Sequence, residues 1–216
     1  MQAILSRGLL LFWSQWRRRF TDTGAIAPSS PQLGRALSEP LLQRRGGPMR
    51  VLEVGAGTGA VTRQALARLQ RGDAFDVCEI NPEFCAYLSA ALRQWEESAP
   101  GVQVRLLQAD VRTIQSGDNG AYDRIICGLP FNNFAPAEVS ELFGHLLGLL
   151  APGGVLSYFE YTWLRQLRIG LMGPGPERER LRAITEISRR LWARHEFDST
   201  AVWWNLPPAT AHHLHA

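Results

Sequence analysis

Residues 51–59 read VLEVGAGTG. An apolar strand-like run ends on three glycines spaced every second position, and a helical stretch, 60–70, follows directly. Glycine there lets the backbone turn tightly and approach a ligand with no Cβ in the way. The rest of the chain repeats the alternation. Strands are predicted at Arg50–Val54, Phe75–Ile80, Val102–Leu107, Tyr122–Cys127 and Val155–Tyr161. Helices are predicted at 60–70, from Pro82 to about Glu97, at 136–150 and at about 177–193, with a short one starting near Pro31. Two last strands, Phe197–Asn205 and Thr210–His215, flank the turn Leu206-Pro207-Pro208. Alternating strands and helices, with apolar strands, imply an α/β fold with a seven-stranded, mostly parallel sheet closed by an antiparallel hairpin.

At 216 residues, the chain fits one domain with a short extension. The linker Arg44-Arg45-Gly46-Gly47-Pro48 divides an N-terminal segment, 1–45, from the domain proper, 46–216. Charge divides at nearly the same place. All 23 basic residues are Arg; residues 1–50 carry net +6 and residues 51–216 net −3. A basic arm serves nucleic acid or an anionic membrane equally well.

The residues beside those charges decide between them. Leu5, Leu9, Phe12, Trp13, Trp16 and Phe20 recur at steps of three or four, with Arg7, Arg17, Arg18 and Arg19 as the only charges before Asp22. The spacing predicts an amphipathic helix over residues 4–20 lying at an anionic membrane surface. The competing reading is a helix packed on its own domain or on a second copy. The apolar run 8–13 is too short to cross a bilayer and lacks the layout of a signal peptide. Cys78, Cys85 and Cys127 form no metal or redox pattern and fit a reducing compartment, the cytoplasm. His212, His213 and His215 show no metal spacing with other ligand types, so a surface strand is predicted there and no metal site.

Two details distinguish 51–59 from a dinucleotide fingerprint. Glu53 stands two residues before the first glycine, and the spacing is G-x-G-x-G. The stretch resembles motif I of the class I S-adenosylmethionine-dependent methyltransferases. That resemblance implies a Rossmann-like fold and S-adenosylmethionine as cofactor, held around Glu53, Gly55, Gly57 and Gly59. It implies that Glu79, with Ile80 beside it, accepts hydrogen bonds from the ribose hydroxyls. It also implies that Asp110 faces the adenine amino group while Val111 packs on the ring.

The loop after the fourth strand, Gly128-Leu129-Pro130-Phe131, is similar to the Asn-Leu-Pro-aromatic loop of the ribosomal RNA adenine dimethylases, with Gly128 in place of the amide. An aliphatic amine needs only carbonyl acceptors, such as that of Leu129, and room for added methyls. Gly128 therefore argues for an aliphatic amine; its alternative reading is a tight turn. Together, TGAIAPSSPQL, VLEVGAGTGAVT, GLPFNNF and LLAPGGVLSYFEY resemble the bacterial phospholipid N-methyltransferases. Those enzymes methylate phosphatidylethanolamine in up to three steps, and their relatives methylate ornithine lipids.

The resemblance implies a lipid substrate met at the inner face of the cytoplasmic membrane, with Gly128 beside the cofactor and Pro130, Phe131 and Asn132 beside the head group. Tyr158, Glu160 and Tyr161 end the fifth strand next to that loop and are candidate amine-orienting groups and weak bases. Arg165 and Arg168, one turn apart if helical, are candidates to hold a lipid phosphate or carboxylate. Two other readings stay open. One is an RNA adenine dimethylase with the basic arm on RNA. The other is a non-catalytic subunit of the same fold, docking a partner through its N-terminal helix. Gly128 and the net-acidic body speak against nucleic acid.

Overall fold

A computed structural model describes residues 29–216, except Arg45, Ser98 and 116–120. The predicted N-terminal helix lies outside the described residues. Seven strands form one sheet: β1 Arg50–Val54, β2 Ala74–Glu79, β3 Gln103–Gln108, β4 Tyr122–Cys127, β5 Leu150–Glu160, β6 Glu196–Val202 and β7 Ala209–His215. Their order across the sheet is β3-β2-β1-β4-β5-β7-β6. Strands β1 to β5 run parallel, and β7 is antiparallel to both of its neighbours.

Among the described residues, six α-helices cover the sheet: α1 Pro31–Leu37, α2 Ala60–Leu66, α3 Pro82–Glu96, α4 Pro136–Gly148, α5 Thr162–Leu171 and α6 Pro176–His195. Local chemistry sets several of their starts. Pro31 and Pro82 occupy first-turn positions, where a missing N–H loses no helical bond. The Ser30 hydroxyl accepts from Leu33 N at 3.2 Å, and the Asn81 side chain accepts from Glu83 N at 2.8 Å.

Side chains alternate across each central strand, so the sheet has two cores. Val51, Phe75, Val77 and Ile126 pack with α1, α2 and α3 on one face. Leu52, Ile125, Leu156 and Tyr158 pack with α4 and α6 on the other. Strand β5 starts earlier than expected because Leu150 pairs with Tyr122 across a register shift, ahead of Gly153-Gly154. The parallel pairing reverses direction of travel at β1 and β4, which sit side by side in the middle of the sheet. Ligands of open α/β sheets bind in the crevice beyond such a switch point.

Candidate active site

The glycine turn after β1 is built against β2. Gly55 N donates to Cys78 O at 2.9 Å, and Gly57 N donates to Glu79 Oε2 at 2.8 Å. The other oxygen of Glu79 accepts from Ile80 N and Asn81 N, each at 2.8 Å. Gly55, Gly57 and Gly59 all have positive φ, which explains why no larger residue recurs there. At Gly57 an added Cβ would meet nothing within 4 Å, so that side of the turn is open for a ligand. Gly59 instead starts α2 and lies against the Trp95 ring of α3.

Beyond this turn lies a cleft of about 380 Å³. Gly55, Glu79, Ile80, Asp110, Val111 and Leu129 line it, with Phe134 and Leu142 also in its wall. Five of the predicted cofactor residues thus meet around one space. The lining fits S-adenosylmethionine: apolar walls suit an adenine ring, and three backbone N–H groups fix the Glu79 carboxylate in the wall, where a ribose could be met. Burial pushes the Glu79 carboxyl upward, and the three backbone N–H groups oppose that rise. Glu53 is buried, and burial pushes its carboxyl up to about 8. Its Oε2 has no hydrogen-bond partner, and Glu53 is not among the residues that line the cleft.

Asp110 holds an unforeseen bond. It accepts from Arg112 N at 3.0 Å, and the Arg112 guanidinium turns back onto both of its oxygens. Any adenine amino group meeting Asp110 shares it with Arg112, which also lines the cleft. Nothing in the sequence marks Arg112, because a pairing two residues apart depends on the turn that Val111–Thr113 makes.

Gly128 marks the passage to a second cleft. Its N–H donates to Val54 O at 2.8 Å, and a Cβ added to it would stand 2.8 Å from the Gly55 carbonyl oxygen. The close approach of two backbones is enough to require glycine there, whatever the acceptor. This corrects the reading of Gly128 as a signature of an aliphatic amine. The Leu129 carbonyl accepts from Phe131 N at 3.1 Å and keeps a second lone pair.

The second cleft, about 460 Å³, is lined by Pro130, Phe131, Asn132, Glu160, Tyr161 and Arg168, with Leu164 at its α5 side. Four predicted substrate residues and two predicted catalytic residues therefore come together. Two others do not. Tyr158 is fully buried among Phe131, Phe143 and His212, and its hydroxyl accepts from Trp192 Nε1 at 2.7 Å. It is a core residue and not a catalytic one. Arg165 is only 1% exposed; it pairs with Glu160 and donates to Asn132 Oδ1 at 3.2 Å. It ties α5 to β5 and to the loop after β4, and cannot reach out to a lipid phosphate.

The same pairing alters the role of Glu160. Arg165 takes one carboxylate oxygen and the Ser188 hydroxyl donates to the other. Glu160 is a counter-ion that positions the wall of the cleft, not a base. Tyr161 is bonded to Asn205, and burial pushes its phenol above the ordinary value, so it orients as a neutral group. Phe131 stacks on Phe143 with ring centres 4.3 Å apart, which makes it core as well as cleft wall. The surface strand expected at the histidines is also corrected. Strand β7 is interior, with His212 and His213 buried; Ser157 Oγ and His213 Nδ1 are 2.9 Å apart. Among the described residues, no three His, Cys, Asp or Glu side chains gather as a metal set.

Known proteins share this fold. A family described as a methyltransferase domain matches residues 51–154. The fold aligns with the O-methyltransferase TomG of Streptomyces achromogenes, solved in complex with S-adenosylmethionine, at TM-score 0.63 and 15% identity over 95% of this chain and 89% of that one. It aligns equally with an O-methyltransferase of Bacillus cereus in complex with S-adenosylhomocysteine, at TM-score 0.63 and 16% identity, over 95% and 90% of the two chains.

By sequence, the chain is 29% identical over 161 residues to the polyketide synthase-nonribosomal peptide synthetase ACE1 of Pyricularia oryzae. That match covers 74% of this chain but only 4% of the synthetase. It is 28% identical over 166 residues to an ornithine lipid N-methyltransferase of Singulisphaera acidiphila, covering 74% of this chain and 82% of that protein. The fold is thus that of the class I methyltransferases, and the cofactor its cleft fits is S-adenosylmethionine.

Proposed function

We propose that this protein transfers methyl groups from S-adenosylmethionine to the amine head group of a membrane lipid. The observation that carries this reading is the likeness to the ornithine lipid N-methyltransferase, which extends over most of both chains. The matched synthetase, by contrast, is a far longer protein. The acceptor cleft supports an amine on chemical grounds. When bound, the cofactor supplies an electrophilic methyl carbon on a sulfonium.

An alcohol attacking that carbon needs a base. The two ionisable acids in the cleft wall do not offer one, since Glu160 is paired and Tyr161 is held neutral. An amine needs only to have lost a proton beforehand. With an ammonium pKa of about 10, the neutral amine is about a thousandth of the total near pH 7, a cost of about 4 kcal/mol. Water removes that proton before binding. The Leu129 carbonyl and Tyr161 then orient the remaining N–H groups, and alignment supplies several kcal/mol more. Residues 4–20 attach the protein to the inner face of the cytoplasmic membrane, so that the substrate is met in its own leaflet.

Labelled methyl transfer tests the reading. Vesicles holding phosphatidylethanolamine and vesicles holding ornithine lipid are supplied separately, and products are separated by methyl number. Label in either lipid supports it. No label in either, with cofactor binding intact, removes the lipid reading and brings RNA or a partner-docking role forward.

A further inference from the structure

The acceptor cleft opens on a rim with an unusual surface. Strand β6 is antiparallel to β7, and β7 is antiparallel to β5, so β6 and β5 end at the same edge of the sheet. The turn after β6 therefore stands beside the start of α5, just beyond the carboxyl ends of the strands. Asn205 of that turn bonds Tyr161 in the cleft wall. On the turn, Trp204 is 84% exposed and Leu206 75%. On α5, Leu164, Leu167 and Leu171 recur on one side, and the last is 78% exposed. Large apolar side chains grouped at one edge, rather than scattered, mark a surface that is covered in use.

Its charge says by what. No Asp or Glu occurs in residues 161–176 or 199–211. Arg165 is buried, so the exposed ionic group in those stretches is Arg168, loosely paired with Glu177 at 3.7 Å. Glu177 is shared by Arg168 and Arg180, so this set of ionic groups sums to a positive charge; Trp and Leu beside net positive charge are the composition that enters an anionic lipid interface. The chain also enters the described fold at this edge, because Ser30 N donates to Asn205 Oδ1 at 3.0 Å. The described fold therefore begins beside the rim.

We propose that this rim is a membrane-docking surface of the folded body, which seats the acceptor cleft against the head groups of an anionic leaflet. Its choice of occupant rests on the lipid reading above. The rim is a separate contact from residues 4–20. It determines which way the cleft faces, whereas the N-terminal stretch only holds the protein near the leaflet.

The test uses the full chain and vesicles of phosphatidylglycerol with phosphatidylcholine, which hold no lipid able to accept a methyl group. Docking is thus read apart from turnover. Two variants are compared with the parent protein: Trp204→Ser with Leu206→Ser, and Leu167→Gln with Leu171→Gln. Each is expected to lower vesicle partition about tenfold, the effect of about 1.4 kcal/mol. Affinity for S-adenosylmethionine should be unchanged in both, which shows that the fold is intact. Parental partition by either variant with intact cofactor binding overturns the proposal. So does unchanged partition together with a shift from dimer to monomer in sedimentation, which would assign the rim to a second copy of the chain.

Discussion

Glu79, Gly128 and Glu53 each carry a distinct and separable load. Glu79 serves twice, ordering the glycine turn through Gly57 N and lining the cofactor cleft. Glu79→Ala should weaken S-adenosylmethionine binding by about tenfold to a hundredfold, the range for a lost hydrogen bond to a charged group, measured by calorimetric titration. Parental affinity would remove Glu79 from the site. Gly128→Ala places a methyl 2.8 Å from the Gly55 carbonyl oxygen. It should destabilise the protein by about 1–3 kcal/mol in urea unfolding. A variant as stable as the parent would show that the two loops can separate freely.

The Glu53 carboxyl makes stability depend on pH. Its folded value of about 8 lies above the ordinary carboxylate range, so the folded state binds a proton that the unfolded state has lost. That contribution is complete at low pH and disappears as pH rises from about 4 to about 8. Glu53→Gln should flatten the decline in the cofactor-free protein. An identical slope in both proteins would mean that Glu53 ionises normally in the fold.

At the scale of elements, the Arg165–Glu160 pair joins α5, β5 and the loop after β4, with Ser188 of α6 completing it. Removing one partner leaves a buried charge uncompensated. Arg165→Leu should cost about 3–5 kcal/mol, and adding Glu160→Leu should recover part of that loss. Equal stability of Arg165→Leu and the parent would contradict a structural role and return Arg165 to the substrate. Most of the strands and helices were legible in the sequence, because buried parallel strands are continuous apolar runs and Pro and Gly punctuate them. The cofactor end was legible for the same reason: its residues fall at strand ends, where chain order fixes position. The acceptor end was legible only in part. Whether Arg165 points outward or into the protein depends on how α5 packs on α6, and nothing local to Arg165 records it. The burial of His212 and His213 was hidden likewise, because it follows from β7 inserting between β5 and β6.

For the whole molecule, the charge asymmetry and the apolar rim act together. In the proposed account, a basic N-terminal stretch carries a net-acidic body to an anionic leaflet, and the rim at the strand ends determines how the body sits there. Removing residues 1–20 should lower flotation with phosphatidylglycerol vesicles and leave S-adenosylmethionine affinity unchanged; undiminished flotation would contradict the membrane role given to that stretch. The central claim is the acceptor itself, and labelled methyl transfer in mixed anionic vesicles tests it most directly. The account predicts label in the amine head group of ornithine lipid or phosphatidylethanolamine. No label in either lipid, from protein that binds S-adenosylmethionine and floats with the vesicles, would contradict it.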